Sequence, residues 1–143
     1  MRYRFVDEIV SLALDGVPRI EVAKRFHPDD DVFGGPLGPA RVPESMLLEL
    51  MAMTGGHLLV RHLGRGRLPL LLKVPECCLD GVASAGDSLR AVATLRGLTS
   101  VADGTSVAET ESEVYVATRL IARARLMFVC VEAPGALALG AGA

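Results

Sequence analysis

Cysteine, aromatic residues and long uncharged runs are all scarce in this chain, and each scarcity excludes something. The three cysteines, Cys77, Cys78 and Cys130, are odd in number, and two are adjacent. None has CxxC spacing or a neighbouring histidine pair, so neither a disulfide framework nor a zinc site is expected. No other metal or cofactor signature stands in the sequence. There is no tryptophan, and only two tyrosines and four phenylalanines. With no basic run and a net charge of −2, the chain lacks both a base-stacking platform and an electrostatic footprint for nucleic acid. The longest nearly uncharged window, residues 42–60, still holds Glu44, Glu49, Pro43, Gly55 and Gly56. That composition predicts a buried helix rather than a membrane span. The opening MRYRFVDEIV carries charges inside its apolar stretch and has no small-residue cleavage site, unlike a secretory leader. Together these features predict a cytoplasmic protein that binds neither membrane nor nucleic acid.

What the chain has is apolar content. Half of its 143 residues are hydrophobic and 22% are charged, enough for one domain with a core of its own. We expect residues 1–134 to form that domain and residues 135–143, GALALGAGA, to be a flexible tail.

Residues 3–14 and 17–26 flank Asp15-Gly16, a hairpin turn signal, although residues 6–10 could equally form a short helix. Residues 27–43 hold prolines, glycines and the Asp29-Asp30-Asp31 run, which together oppose regular structure. Such a long loop inside a domain is usually functional or disordered, and its apolar residues Val32, Phe33, Leu37 and Val42 argue for a packed one. Pro43 at the first helical position then opens PESMLLELMAMTGGHLLVRHL, with an acid in the first turn and Arg61 and His62 near the end. Apolar residues occupy nearly every side, which predicts a helix enclosed on most faces. Gly55-Gly56 in its middle predicts a close backbone approach to a neighbour.

Four apolar-rich segments follow, at 68–74, 88–98, 106–117 and 119–131. Asp80-Gly81, Gly86-Asp87 and Asp103-Gly104 supply turn chemistry between them. A hairpin, one long helix and four successive strands make an α+β pattern, with a curved antiparallel sheet wrapped around a central helix. The bland reading of Cys77-Cys78 is buried packing.

A resemblance sharpens this reading. In the 3-hydroxyacyl-acyl-carrier-protein dehydratases of the FabA/FabZ type, a loop F-x-G-H-F-P-G-x-P leads into a helix P-G-x-L-x-x-E-x-x-A-Q. The stretch VFGGPLGPARVPESMLLELMAM resembles it. Gly34 and Gly38 fall on the loop glycines, Pro43 on the helix-opening proline, Glu49 on the catalytic carboxylate and Ala52 on the alanine. Gly35 occupies the catalytic histidine's position, Met53 replaces the glutamine, and Glu44 replaces the glycine at the helix start. Downstream, VASAGDSLRAV is similar to V-x-P-G-D-x-L, and EVYVATRLIARARLMFV resembles the closing hairpin. The likeness spans about residues 3–131 and implies the hot-dog fold, dimers, and acyl chains on acyl carrier protein.

It also implies an acid at Glu49, with the backbone amide of Glu44 polarising the thioester carbonyl. Gly34, Gly38, Met46 and Met53 fall where the substrate would lie. Periodicity alone reads Glu49 as an exposed helix carboxylate; the resemblance turns it toward an acyl tunnel. Glycine at position 35 cannot take a proton, and each proton-transferring group is worth on the order of 10²–10⁴ in rate. A homodimer should therefore be a poor dehydratase, whereas a heterodimer with a histidine-bearing paralogous dehydratase could be active. A non-catalytic acyl- or carrier-binding module is a second reading. A hot-dog acyl thioesterase is a third, since a carboxylate and a helix amide suffice for it. His27 is expected to be a solvated loop residue, and His57 and His62 to serve packing or the helix dipole.

Overall fold

The computed structural model describes residues 5–30, 41–64 and 66–134. Gly34, Gly35, Gly38 and the tail from residue 135 lie outside them. Six strands, β1 (Glu8–Ala13), β2 (Arg19–Arg25), β3 (Arg67–Leu79), β4 (Ser88–Ala102), β5 (Thr105–Val116) and β6 (Arg119–Glu132), accompany one helix, α1 (Glu44–Leu63). They form a single sheet in the order β1-β2-β4-β5-β6-β3. Every neighbouring pair is antiparallel. The sheet curves around the helix, which is the hot-dog architecture.

Alternation along the strands decides which face meets α1. On β5, Ala108, Thr110, Ser112 and Val114 are buried, while Glu109, Glu111 and Glu113 take the other face. On β6, Ala122, Ala124, Leu126, Phe128 and Cys130 point inward, with Arg123 and Arg125 outward. The outward charges pair across strands: Arg125 lies 2.6 Å from Glu109, Arg123 3.4 Å from Glu76, and Arg96 3.2 Å from Glu111. These solvent-exposed pairs contribute little to stability and mainly keep that face wet.

The helix buries Leu47, Leu50, Met51, Thr54, Gly55, Leu58 and Leu59 against the sheet. Each large apolar side chain there contributes about 1.5–3 kcal/mol. Small residues opposite, Ala91, Ala93, Ala108, Ala122 and Ala124, let the helix lie close. The closest approach is at Gly55, where an added Cβ would sit 2.9 Å from the Thr110 Oγ1 and 3.3 Å from the Phe128 ring. That is the neighbour the glycine pair predicted. Gly56 differs: a Cβ there would meet only Pro69 Cγ, at 3.9 Å.

Several expectations need correction. Of the two readings of residues 6–10, the hairpin is the one found, since residues 8–13 are a strand paired with β2. Pro43 is the residue before the helix, in an extended conformation (φ −59°, ψ 142°), rather than its first helical residue. The helix is enclosed on one side only: Glu44, Ser45, Glu49 and Met53 are exposed on the other. β3 runs on to Leu79, five residues past the expected end, and carries Cys77 exposed and Cys78 half-buried rather than packed away. The turns held. Gly16, Gly86 and Gly104 take positive φ, and Asp87 accepts the Ser84 amide proton at 2.8 Å.

That last turn organises the ends of the 27–43 segment. The Gly86 amide donates to the Phe26 carbonyl at 2.8 Å, and the Val42 amide to the Ala83 carbonyl at 2.8 Å. Residues 83–87 thus tie the end of β2 and the chain just before α1 to one turn.

Candidate functional site

A cavity of about 480 Å³ opens between α1 and the β3 edge of the sheet. One wall is a helical stripe, Glu49, Ala52, Met53, Gly56, His57 and Val60. Its spacing of three and four residues keeps it on one face of α1. The other wall is Leu68, Pro69 and Leu71 of β3 with Phe128 of β6. The lining is apolar except for two side chains, Glu49 and His57. Few convergent polar groups on an apolar lining is the usual make-up of a small-molecule site.

Glu49 sits where the cavity meets solvent. It is exposed in the single chain, and no described residue forms an ion pair or hydrogen bond with its carboxylate. Glu49 is thus a solvated helix carboxylate that also lines the pocket. Met53 lines the cavity as well and is 41% exposed. Met46 is half-buried and packs against the core instead. Glu44 is exposed and lies 3.7 Å from Arg41. No side chain caps the helix start, where the Met46 amide turns back to the Pro43 carbonyl at 3.0 Å. The remaining first-turn amides keep the partial positive charge of a helix N-terminus.

His57, expected to serve packing or the helix dipole, also lines the cavity. It lies eight positions beyond Glu49, about 12 Å along the axis, too far for a catalytic pair but inside the same cavity. Burial, reinforced by the Arg61 charge one turn on, pushes its pKa below the ordinary histidine value, so the imidazole is neutral at pH 7. The signal that could have found it is the stripe itself: positions 49, 52, 53, 56, 57 and 60 repeat with helical period. His27, by contrast, is an exposed turn residue whose amide donates to Asp30 Oδ2 at 2.9 Å. Among the described residues no group of three His, Cys, Asp or Glu side chains could hold a metal ion, and no helix is long and apolar enough to cross a membrane.

No protein-family model and no curated protein matches the sequence. Solved structures do match. A thioesterase superfamily member from Thermus thermophilus superposes with a TM-score of 0.63 at 18% identity, over 84% of this chain and 85% of that one. A thioesterase from Haemophilus influenzae gives 0.58 at 16% identity, over 85% and 77%. A Streptococcus mutans protein bound to acetyl CoA gives 0.62 at 13% identity, over 87% and 88%. None of the three is described as a dehydratase, so the dehydratase likeness stands on the sequence motif alone. At these identities the superpositions establish architecture, and the architecture is the hot-dog fold.

Proposed function

We propose that this protein is a hot-dog acyl thioesterase acting on acyl-coenzyme A. The observation that carries the proposal is the Glu49 carboxylate at the mouth of an apolar cavity. The thioesterase-superfamily structures that share its architecture favour hydrolysis over dehydration. In this reading the acyl group enters between α1 and β3, with its carbonyl near the first turn of the helix. Glu49 takes a proton from water as the water oxygen bonds to the thioester carbon. The amide of Glu44 at the helix start receives the developing oxyanion charge. The C–S bond then breaks, and the thiolate takes the proton back from the Glu49 carboxyl.

A second copy of the chain completes the site. β3 is an edge strand of 13 residues whose outer side pairs with no other strand among the described residues. It also exposes Leu70, Leu71 and Leu72. Such an edge invites strand pairing, and a homodimer formed there covers the cavity beside Leu71.

Release of free thiol from acyl-coenzyme A tests the reading. Wild-type protein is expected to hydrolyse it, and Glu49→Gln to lose on the order of 10²–10⁴ in kcat/KM without losing fold. Full activity in Glu49→Gln would remove the proposal. The 14-residue spacing from Gly35 to Glu49 keeps the dehydratase reading in the experiment. On that reading, enoyl-thioester hydration on acyl carrier protein appears only when a histidine-bearing paralogue is added. A bound acyl group with turnover in neither assay leaves the binding-module reading.

A further inference from the structure

We infer that His57 is a specificity-determining residue that hydrogen-bonds an uncharged polar group at the far end of the acyl chain, in space that Gly56 leaves open. The inference rests on the acyl-thioester reading of the cavity and names the substrate class within it.

Three observations carry it. Glu49 and His57 are the two polar side chains on the cavity wall, and Ala52, Met53 and Gly56 lie between them on the helix. The His57 imidazole makes no hydrogen bond with any described residue. The ring lines the cavity half-buried, with hydrogen-bonding capacity that the described residues leave unused, so a ligand group can take the place of water there. The third observation is at Gly56. Alanine would fit there, since its Cβ would rest in ordinary contact with Pro69 at 3.9 Å. It would also favour the helix by about 1 kcal/mol. Nothing in the fold demands glycine at this position, and what a side chain would take away is room beside His57.

The chemistry of the ring sets the chemistry of the ligand. A neutral imidazole offers one donor and one acceptor. It matches a hydroxyl or amide, whereas a carboxylate requires the protonated form that burial opposes here. Distance sets the length. An extended chain advances about 1.2 Å per bond, a third of a peptide unit's span. Covering about 12 Å between helix positions, less the reach of the two side chains, takes a chain of roughly six to ten carbons.

The test compares unsubstituted, ω-hydroxy and ω-carboxy acyl-coenzyme A of about six, eight and ten carbons. Both turnover and calorimetric binding are measured on wild type, His57→Leu and His57→Gln. One neutral hydrogen bond predicts about a three- to tenfold preference for the ω-hydroxy form over the unsubstituted one at the best length. His57→Leu should bring that ratio to one, and His57→Gln, which keeps a donor and an acceptor, should retain part of it. A ratio of one in wild type at every length, a ratio unchanged in His57→Leu, or a preference for the ω-carboxy form overturns the inference. Failure of the thioesterase reading is distinct: turnover is then absent throughout, while the binding preference and its loss in His57→Leu still support His57.

Discussion

Two adjacent glycines in the same helix should respond in opposite ways to the same substitution. Gly55→Ala and Gly56→Ala each gain about 1 kcal/mol of helix propensity, because alanine loses less backbone entropy than glycine on folding. At Gly55 the new methyl arrives 2.9 Å from the Thr110 Oγ1 and 3.3 Å from two Phe128 ring atoms. Neither neighbour gives way easily. Thr110 is fully buried with a stiff β-branched side chain, and Phe128 is 3% exposed. Overpacking of this kind costs about 1–3 kcal/mol, so Gly55→Ala ends near neutral to about 2 kcal/mol destabilised. At Gly56 there is no opposing cost, and the variant should be about 0.4–1 kcal/mol more stable than wild type. The two variants then differ by about 1–3 kcal/mol, or roughly 3–12 °C in melting temperature for a chain of this size. Circular-dichroism melts at equal protomer concentration measure the difference, since oligomerisation ties Tm to concentration. Equal melting temperatures, or Gly56→Ala melting below Gly55→Ala, would refute the account of the helix–sheet contact.

Leu72 is 57% exposed on the β3 edge, so Leu72→Lys should leave the monomer folded while abolishing dimers in sedimentation; an intact dimer would place the interface elsewhere. His57 has a folded-state pKa below its unfolded value, so the unfolded chain binds the extra proton. Stability from this group is complete above about pH 6.5 and falls as the pH drops below it. His57→Gln should flatten that slope in denaturant titrations, and an unchanged slope would assign it to other groups. Burial, together with Cys78 and Glu44, raises the Cys77 thiol, and burial raises Cys130. Disulfide-exchange reagents at pH 8 should modify exposed Cys77 before half-buried Cys78, and buried Cys130 only on unfolding.

The fold was legible because its punctuation is chemical. Asp-Gly turns at 15–16 and 103–104 and the Gly86-Asp87 turn marked strand ends, and their three glycines adopt positive φ. The helix start and the basic last turn followed from local rules. The misjudged element was β3, read as ending at residue 74; Pro75 comes next on the strand. A strand at the sheet edge tolerates proline where no ladder bond is needed, and Pro69 and Pro75 both lie on it. Pro75 falls in the irregular register between Lys73 and Glu76, so the strand bulges there and continues. Edge position is a property of the whole sheet, which no local window of sequence reports. The pocket was hidden for a related reason. Helix α1 is apolar on nearly every side, so periodicity did not separate the stripe that meets the sheet from the stripe that lines the cavity. His57, expected to serve packing or the helix dipole, lies about 12 Å from Glu49 along the axis, a separation that on the proposed reading suits recognition of an extended ligand.

The exposure of Glu49 links the chemistry to the edge strand. A carboxylate in water interacts weakly with developing charge, since at 4 Å two unit charges are worth about 1 kcal/mol there and several times more where water is thinned. The described residues of a single chain therefore offer Glu49 little leverage on a thioester, and on the proposed reading a second copy strengthens it. The only wall of the cavity that borders unpaired backbone among the described residues is β3, where Leu71 lines the pocket and Leu70 and Leu72 stand exposed beside it. A second copy paired along that strand would satisfy the open ladder, bury the leucines and withdraw solvent from the mouth of the pocket in one step. On the proposed reading, then, dimerisation and catalysis are the same requirement seen from two sides: the strand edge that makes the monomer prone to association is the edge that leaves its carboxylate wet.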